Sequence, residues 1–235
     1  MTSSEIVTLL VWYVVFLFST TLHEASHAWA AMRGGDLTAY HGGQVSIDPI
    51  PHIRREPFGM LLLPALTLFF AGWPLGFASC PYDPDWARRY PKRAGWMALA
   101  GPAANLAIVL VVTGLIWIGS WTGHFAPPSD RFGLDGLVAA GAQAGPVWKG
   151  LAGFASIFFA MNFILFIFNL IPVPPLDGGG GINLLLGDET AVRYQNFMNQ
   201  PLIGLIGILV AWRIFDYLID LALPVGLRLL HLPSL

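Results

Sequence analysis

The sequence predicts an all-α polytopic membrane protein of about four transmembrane helices, with a re-entrant hairpin and a small membrane-associated β-sheet. Three observations lead there. The 235 residues are 55% hydrophobic and only 11% charged, with a mean hydropathy of +0.63, whereas soluble domains carry about 25% charged residues. Four apolar runs, Ile6–Met32, Gly95–Trp121, Val147–Ile171 and Leu202–Leu223, are each long enough to cross a bilayer core, which takes roughly 20 helical residues. Seven of the twelve basic residues (Arg33, Arg54, Arg55, Arg88, Arg89, Lys92, Arg93) flank a fifth apolar stretch, Met60–Phe77, on both sides. Positive-inside bias draws both flanks to the cytoplasm, so this stretch is expected to enter and leave on one face.

The first run lacks a basic leader, since Met1 to Glu5 holds no Lys or Arg, and is expected to be a retained helix. It contains His23-Glu24-Ala25-Ser26-His27, an H-E-x-x-H set. Residues four apart share a helix face, so both imidazoles reach one tetrahedral metal, and Glu24 is placed to take a proton from water held there. A carboxylate near a bilayer centre costs roughly 2.5–3.5 kcal/mol, so this trio within an apolar span calls for a partner.

Beyond Arg33-Gly34-Gly35-Asp36 the character changes. Thr38-Ala39-Tyr40 and Gln44-Val45-Ser46-Ile47 read as short strands around Gly42-Gly43, making 33–58 a strand-containing cytoplasmic segment. It reads either as a connector or, through an exposed edge, as a clamp for an extended chain. His41 and His52 read as solvated loop residues and not as ligands. Residues 59–78 form the expected re-entrant hairpin, with Pro64, Gly72, Pro74 and Gly76 supplying bends; irregular backbone at that depth is tolerated when protein covers it. Cys80, the single cysteine, excludes an internal disulfide and reads as a small apolar filler.

The second clear span opens with Ala100-Gly101-Pro102-Ala103-Ala104-Asn105. Small residues let another helix approach, and Asn105 reads either as a hydrogen bond across that contact or as a contributor to the site. Residues 122–146, with Pro127-Pro128-Ser129-Asp130, are expected as a polar outer loop. Val147–Ile171 carries Asn162 and Asn169 and runs into Pro172-Val173-Pro174-Pro175-Leu176-Asp177-Gly178-Gly179-Gly180-Gly181. Prolines end the helix and glycines permit a tight bend, which presents Asp177 on a constrained turn. Asp216 and Asp220, near the end of the last span, read as water-facing helix-end carboxylates. No charge run or basic-aromatic interleaving points to nucleic acid.

A catalytic zinc usually takes three protein ligands and keeps one position open, so the histidines need a third. With Met60–Phe77 counted as non-crossing, the first helix runs inward, the second returns and the third runs inward again. Asp177 then emerges on the face of Arg33, near the depth of His27. A full crossing by Met60–Phe77 would put it on the opposite face.

HEASH, AGPAAN and NLIPVPPLDGG, in that order, resemble the intramembrane zinc metalloproteases of the site-2 protease family (peptidase family M50), in the compact form without a PDZ or CBS domain. The likeness runs from Trp12 to about Gly181 and extends to RGGDLTAY, DPIPH and LLLPALTLFFAGWPLGF. It implies one intramembrane metalloprotease domain over 1–235 holding one Zn2+, with His23, His27 and Asp177 as ligands and Glu24 as the catalytic acid/base. Asn169 matches a family asparagine that helps position the substrate or transition state. It implies a multi-pass protein of the cell membrane with its site toward the cytoplasm, cutting transmembrane protein substrates in regulated intramembrane proteolysis. The lipid bilayer is the other expected partner, and homo-oligomerisation is left open. The chain departs from the pattern at Tyr40-His41-Gly42-Gly43, at Arg54-Arg55-Glu56, which looks inserted, and at Ser79-Cys80, where relatives often have a lysine. Two other readings use the same His/His/Asp set: a membrane metal-ion transporter and a catalytically silent scaffold. Against the first, a transit site has no need of Glu24, and no internal repeat is evident.

Overall fold

The computed structural model describes residues 2–128 and 133–232. The chain opens with α1 (Ser3–Gly34). Two short helices, α2 (Thr38–His41) and α3 (Pro49–Arg55), lead to a π-helical turn at Phe58–Leu62 that continues as α4 (Leu63–Ala71). Then come α5 (Pro84–Arg89), α6 (Pro91–Trp121), α7 (Pro146–Asn169), the short α8 (Asp177–Gly181), α9 (Asp188–Met198) and α10 (Pro201–Leu230). Helices α1, α6, α7 and α10 are long and apolar enough to cross a membrane, and they lie where the four apolar runs predict them. The protein is an all-α, multi-pass membrane protein.

Helix α1 starts at a capping box. Thr2 accepts from the Glu5 amide while Glu5 accepts from the Thr2 amide, and Gly35, at φ 97°, ends the helix in the left-handed conformation. Its apolar side packs with α6 and α7 into one core: Trp12, Val15 and Phe16 meet Ile108, Val112 and Ile116, together with Ile157, Phe159 and Ala160. Helix α10 lies on the rim of this trio, where Gly207 lets it sit against the Pro174 carbonyl and the Trp117 indole donates to the Leu229 carbonyl. It runs through Pro224 to Leu230. Asp216 and Asp220 therefore stand within the helix, exposed on it, and not near its end as expected.

The segment after α1 corrects the strand expectation for 33–58. Among the described residues it holds no strand. The Asp36 carboxylate accepts from the Thr38 amide (2.9 Å) and hydroxyl (2.6 Å), which turns the chain into α2 instead of letting it extend. Asp48 caps α3 by accepting from the Ile50 amide. His52 is buried, not solvated, and its Nε2 donates to the Ser46 carbonyl; His41 is exposed. The sheet lies in the loop between α6 and α7 instead, where β1 (Phe125–Ala126) pairs antiparallel with β2 (Ala139–Ala140). Residues 129–132 of that loop, including Ser129 and Asp130, lie outside the described residues. The rest of the loop is tied down by Val138, whose amide donates to the Ser156 hydroxyl, and by His231 Nε2 donating to the Leu137 carbonyl.

Residues 58–77 form an arm that doubles back. The π-turn ends where Leu63 begins α4, with Pro64 in its first turn, Gly72 (φ 79°) stops that helix, and the Phe77 amide returns to donate to the Gly59 carbonyl at 3.1 Å. The legs touch because Gly59 and Gly76 lack side chains: a Cβ on Gly59 would meet the Phe77 carbonyl oxygen at 2.1 Å. Arg55 donates to the Ser79 carbonyl and Ser79 donates to the Glu56 carboxylate, closing the base of the arm.

Candidate metal centre

One helical turn separates His23 from His27, so both rings leave α1 on the side that faces α6. Helix α6 comes close there because Gly101 stands opposite them. Asp177 arrives from the other direction, as the first residue of α8. Gly178 lets that bend rest on the end of α7, since a Cβ on it would meet the Leu170 carbonyl oxygen at 2.3 Å. Lys92, at the start of α6, holds the following turn by donating to the carbonyls of Asn183 and Leu184, and the Tyr194 hydroxyl donates to the Gly179 carbonyl.

The three side chains converge. His23 Nε2 lies 3.0 Å from Asp177 Oδ2, His27 Nε2 lies 3.3 Å from Asp177 Oδ1, and the two Nε2 atoms are 3.0 Å apart. One donor atom from each residue falls within 4.8 Å of the others. His23, Glu24 and His27 are 5–6% exposed. Burial pushes the Asp177 carboxyl up, but the imidazoles of His27 and His23 more than offset this and hold it below the usual carboxylate range.

Protonation decides what the cluster can hold. His27 Nδ1 lies 2.7 Å from the Met97 carbonyl oxygen, which only accepts, so Nδ1 carries a proton and, in the neutral ring, Nε2 presents a lone pair. His23 Nδ1 lies 2.6 Å from Asn105 Oδ1. Two Nε2 atoms aimed at each other and at one carboxylate make a set of donors that one shared cation would satisfy. A Cβ on Gly101 would stand 2.3 Å from His27 Nε2 and 2.5 Å from His23 Nε2, so the absent side chain leaves space where an ion would sit. Buried Glu24 Oε2 has no hydrogen-bond partner among the described residues. Two imidazoles, one carboxylate and a free carboxylate beside them fit a divalent metal of zinc's type with room for a further ligand.

A cavity of about 510 Å³ opens onto this cluster between Ala78–Tyr82, at the end of the arm, and Pro174–Asp177, with Glu24 and His27 in its wall. Cys80 also lines it. Burial pushes its thiol up, so it is not a thiolate at neutral pH. Asn169, at the end of α7, donates to the Leu165 carbonyl of its own helix and is not drawn into the cluster. Neither is His41 nor His52. Sequence reasoning missed Asn162, which bonds Asn105, and Gly101 as the residue that makes room; a buried asparagine in mid-span and the glycine of AGPAAN were the available signals.

The family model of Peptidase family M50 matches residues 11–210. A relative from Bacillus subtilis (strain 168), named "Putative zinc metalloprotease YwhC", is 32% identical over 166 residues, which cover 70% of this chain and 64% of that protein. Rip2 of Mycolicibacterium smegmatis, given the same descriptive name, is 28% identical over 177 residues, 74% of this chain and 57% of that protein. The chain thus spans 57–64% of the length of these curated relatives. No solved structure gives a significant match.

Proposed function

Because the chain belongs to peptidase family M50, we propose that it is a zinc-dependent endopeptidase that hydrolyses peptide bonds of membrane-spanning substrates, within or at the edge of the bilayer. The observation that carries this reading is the convergence of His23, His27 and Asp177 beside a buried Glu24 whose Oε2 has no partner among the described residues. Those three residues would hold the ion. Zinc bound there supplies a Lewis acid that polarises the scissile carbonyl and lowers the pKa of water toward about 7.

The remaining work falls to the chain. Glu24 takes the proton of the attacking water and returns it to the leaving amine, and its burial keeps the carboxylate free of competing hydrogen bonds. The walls of the cavity, Ala78–Tyr82 and Pro174–Asp177, admit water and an unwound stretch of substrate. A helical substrate hides its carbonyls in its own hydrogen bonds, so spans carrying Gly, Pro or Asn are the expected targets. Asn169 is assigned to substrate positioning; to act it must leave the Leu165 carbonyl. In this reading the site faces the cytoplasm of a cell-membrane protein, residues 59–78 dip into the bilayer and return, and cleavage serves regulated intramembrane proteolysis.

Metal removal tests it. Purified chain in proteoliposomes with a membrane-spanning reporter is expected to lose cleavage on chelation and to regain it on adding back about one equivalent of zinc. Turnover that survives complete metal removal rules the reading out.

A further inference from the structure

Behind the metal cluster lies a ring of hydrogen bonds with no water-facing member. Asn105 of α6, Asn162 of α7 and Ser19 of α1 are each 0% exposed. Asn162 Nδ2 donates to the Phe158 carbonyl (2.9 Å) and to Ser19 Oγ (2.9 Å). Asn105 Nδ2 donates to Asn162 Oδ1 (2.9 Å), and Asn105 Oδ1 lies 2.6 Å from His23 Nδ1. Ser19 stands one turn before His23, so the ring leaves α1, crosses both neighbouring helices and returns to α1.

The orientation of every amide in this ring follows from one backbone group. The Phe158 carbonyl can only accept, so it fixes the NH2 end of Asn162 toward itself. That leaves Asn162 Oδ1 facing Asn105, which must present its own NH2, and so Asn105 Oδ1 faces His23. Flipping either amide would set two acceptors or two donors against each other in a dry site, an unmade pairing that costs about 1–3 kcal/mol. Asn105 Oδ1 accepts only, so His23 Nδ1 carries a proton, and in the neutral ring that a metal requires Nε2 is bare.

We infer that Asn162 and Asn105 are positioning residues: a relay that reads the Phe158 carbonyl and sets His23 in the tautomer whose Nε2 can bind the metal. This rests on the zinc reading above. It also accounts for amides in place of carboxylates. An Asp at 105 would hold the same ring proton but add a third negative group beside Asp177 and Glu24, whereas a neutral amide selects the tautomer without changing the charge of the site. His27 obtains the same selection directly from the Met97 carbonyl. Partners of this kind to ligating histidines typically carry 10–100-fold of metal affinity.

The test is zinc affinity of the full chain in nanodiscs, measured by competition with a chelating dye and so independent of proteolysis. Asn105→Ala and Asn162→Ala are each expected to weaken zinc binding by about 10–100-fold, although Asn162 touches no ligand. The double variant is expected to be no weaker than Asn105→Ala alone, because Asn162 acts only through Asn105. Asn162→Asp guards against misfolding: its protonated carboxyl still donates to the Phe158 carbonyl and accepts from Asn105, and zinc binding is expected within about threefold of wild type, well inside the loss above. Independent, additive losses from the two alanines, or an Asn162→Ala chain that keeps wild-type affinity, overturn the relay while leaving the metal site intact. A wild-type chain that binds no zinc overturns the relay together with the reading beneath it.

Discussion

Replacing Glu24 by Gln is expected to lower cleavage of a membrane-spanning reporter by about 10²–10⁴-fold, the usual contribution of a positioned acid/base, while zinc content stays at the wild-type level. Glutamine keeps the volume and a hydrogen-bonding end but cannot take a proton from water. Glu24 is 5% exposed and does not join the three converging donors, so its loss leaves His23, His27 and Asp177 able to hold the ion. The pairing of lost turnover with retained metal separates a chemical role from a structural one. It is read by single-turnover cleavage alongside metal analysis of the same preparation. Cleavage near the wild-type rate in a zinc-loaded Glu24→Gln chain contradicts the assignment.

Gly101→Ala is expected to remove zinc binding altogether, with one methyl group. The new Cβ would lie 2.3 Å from His27 Nε2 and 2.5 Å from His23 Nε2. A zinc ion needs about 2.0–2.1 Å from each nitrogen, and a methyl in contact with both crowds the side from which the ion is held. The rings cannot simply swing away, because Met97 and Asn105 hold their Nδ1 atoms. Gly114, farther along the same helix, is the control: a Cβ there meets nothing within 4 Å, and Gly114→Ala should bind zinc as wild type does. Alanine is also the better helix former by about 1 kcal/mol, so lost binding in Gly101→Ala cannot be charged to a weaker α6. A Gly101→Ala chain with unchanged zinc affinity would mean that the ion sits elsewhere.

Much of the site was legible in the sequence because its signals are local or topological. His23, Glu24 and His27 lie within about one turn of helix, where spacing alone dictates that both rings leave one face. Asp177 lies 154 positions from His23, and the count of apolar runs, with Met60–Phe77 taken as non-crossing, predicts for it the end of the bundle where it meets His23. Asn105 reads either way because a buried amide in a span serves helix contacts and metal sites alike, and the structure has it in both positions, 2.6 Å from His23 Nδ1 and bonded to Asn162 across α6 and α7. Asn162 was unreadable for the same reason, one helix further out.

The misses fall where a single side chain outweighs pattern. Thr38-Ala39-Tyr40 has the look of a strand, but the Asp36 carboxylate, which also accepts from the Asp83 amide, captures the Thr38 amide and turns the chain into a helix. The sheet between α6 and α7 pairs only Phe125–Ala126 with Ala139–Ala140, too short for any periodicity to announce it. The last apolar run reads as ending at Leu223, yet α10 passes through Pro224 to Leu230, and Gly226 packs against Phe163. Two departures from the family pattern, Arg55-Glu56 and Ser79, turn out to bond each other at the base of the arm. They read in the sequence as separate oddities and in three dimensions as one clamp.

The account depends on one ion shared between α1 and the bend that begins α8. Metal content of the purified full chain, measured for wild type and for Asp177→Ala after equilibration with limiting zinc, tests this most directly. The expected result is one zinc per wild-type chain and its loss, or an affinity weakened by at least about 100-fold, the upper end of what even a supporting partner carries, when the carboxylate is removed. An Asp177→Ala chain that holds zinc as tightly as wild type contradicts the account.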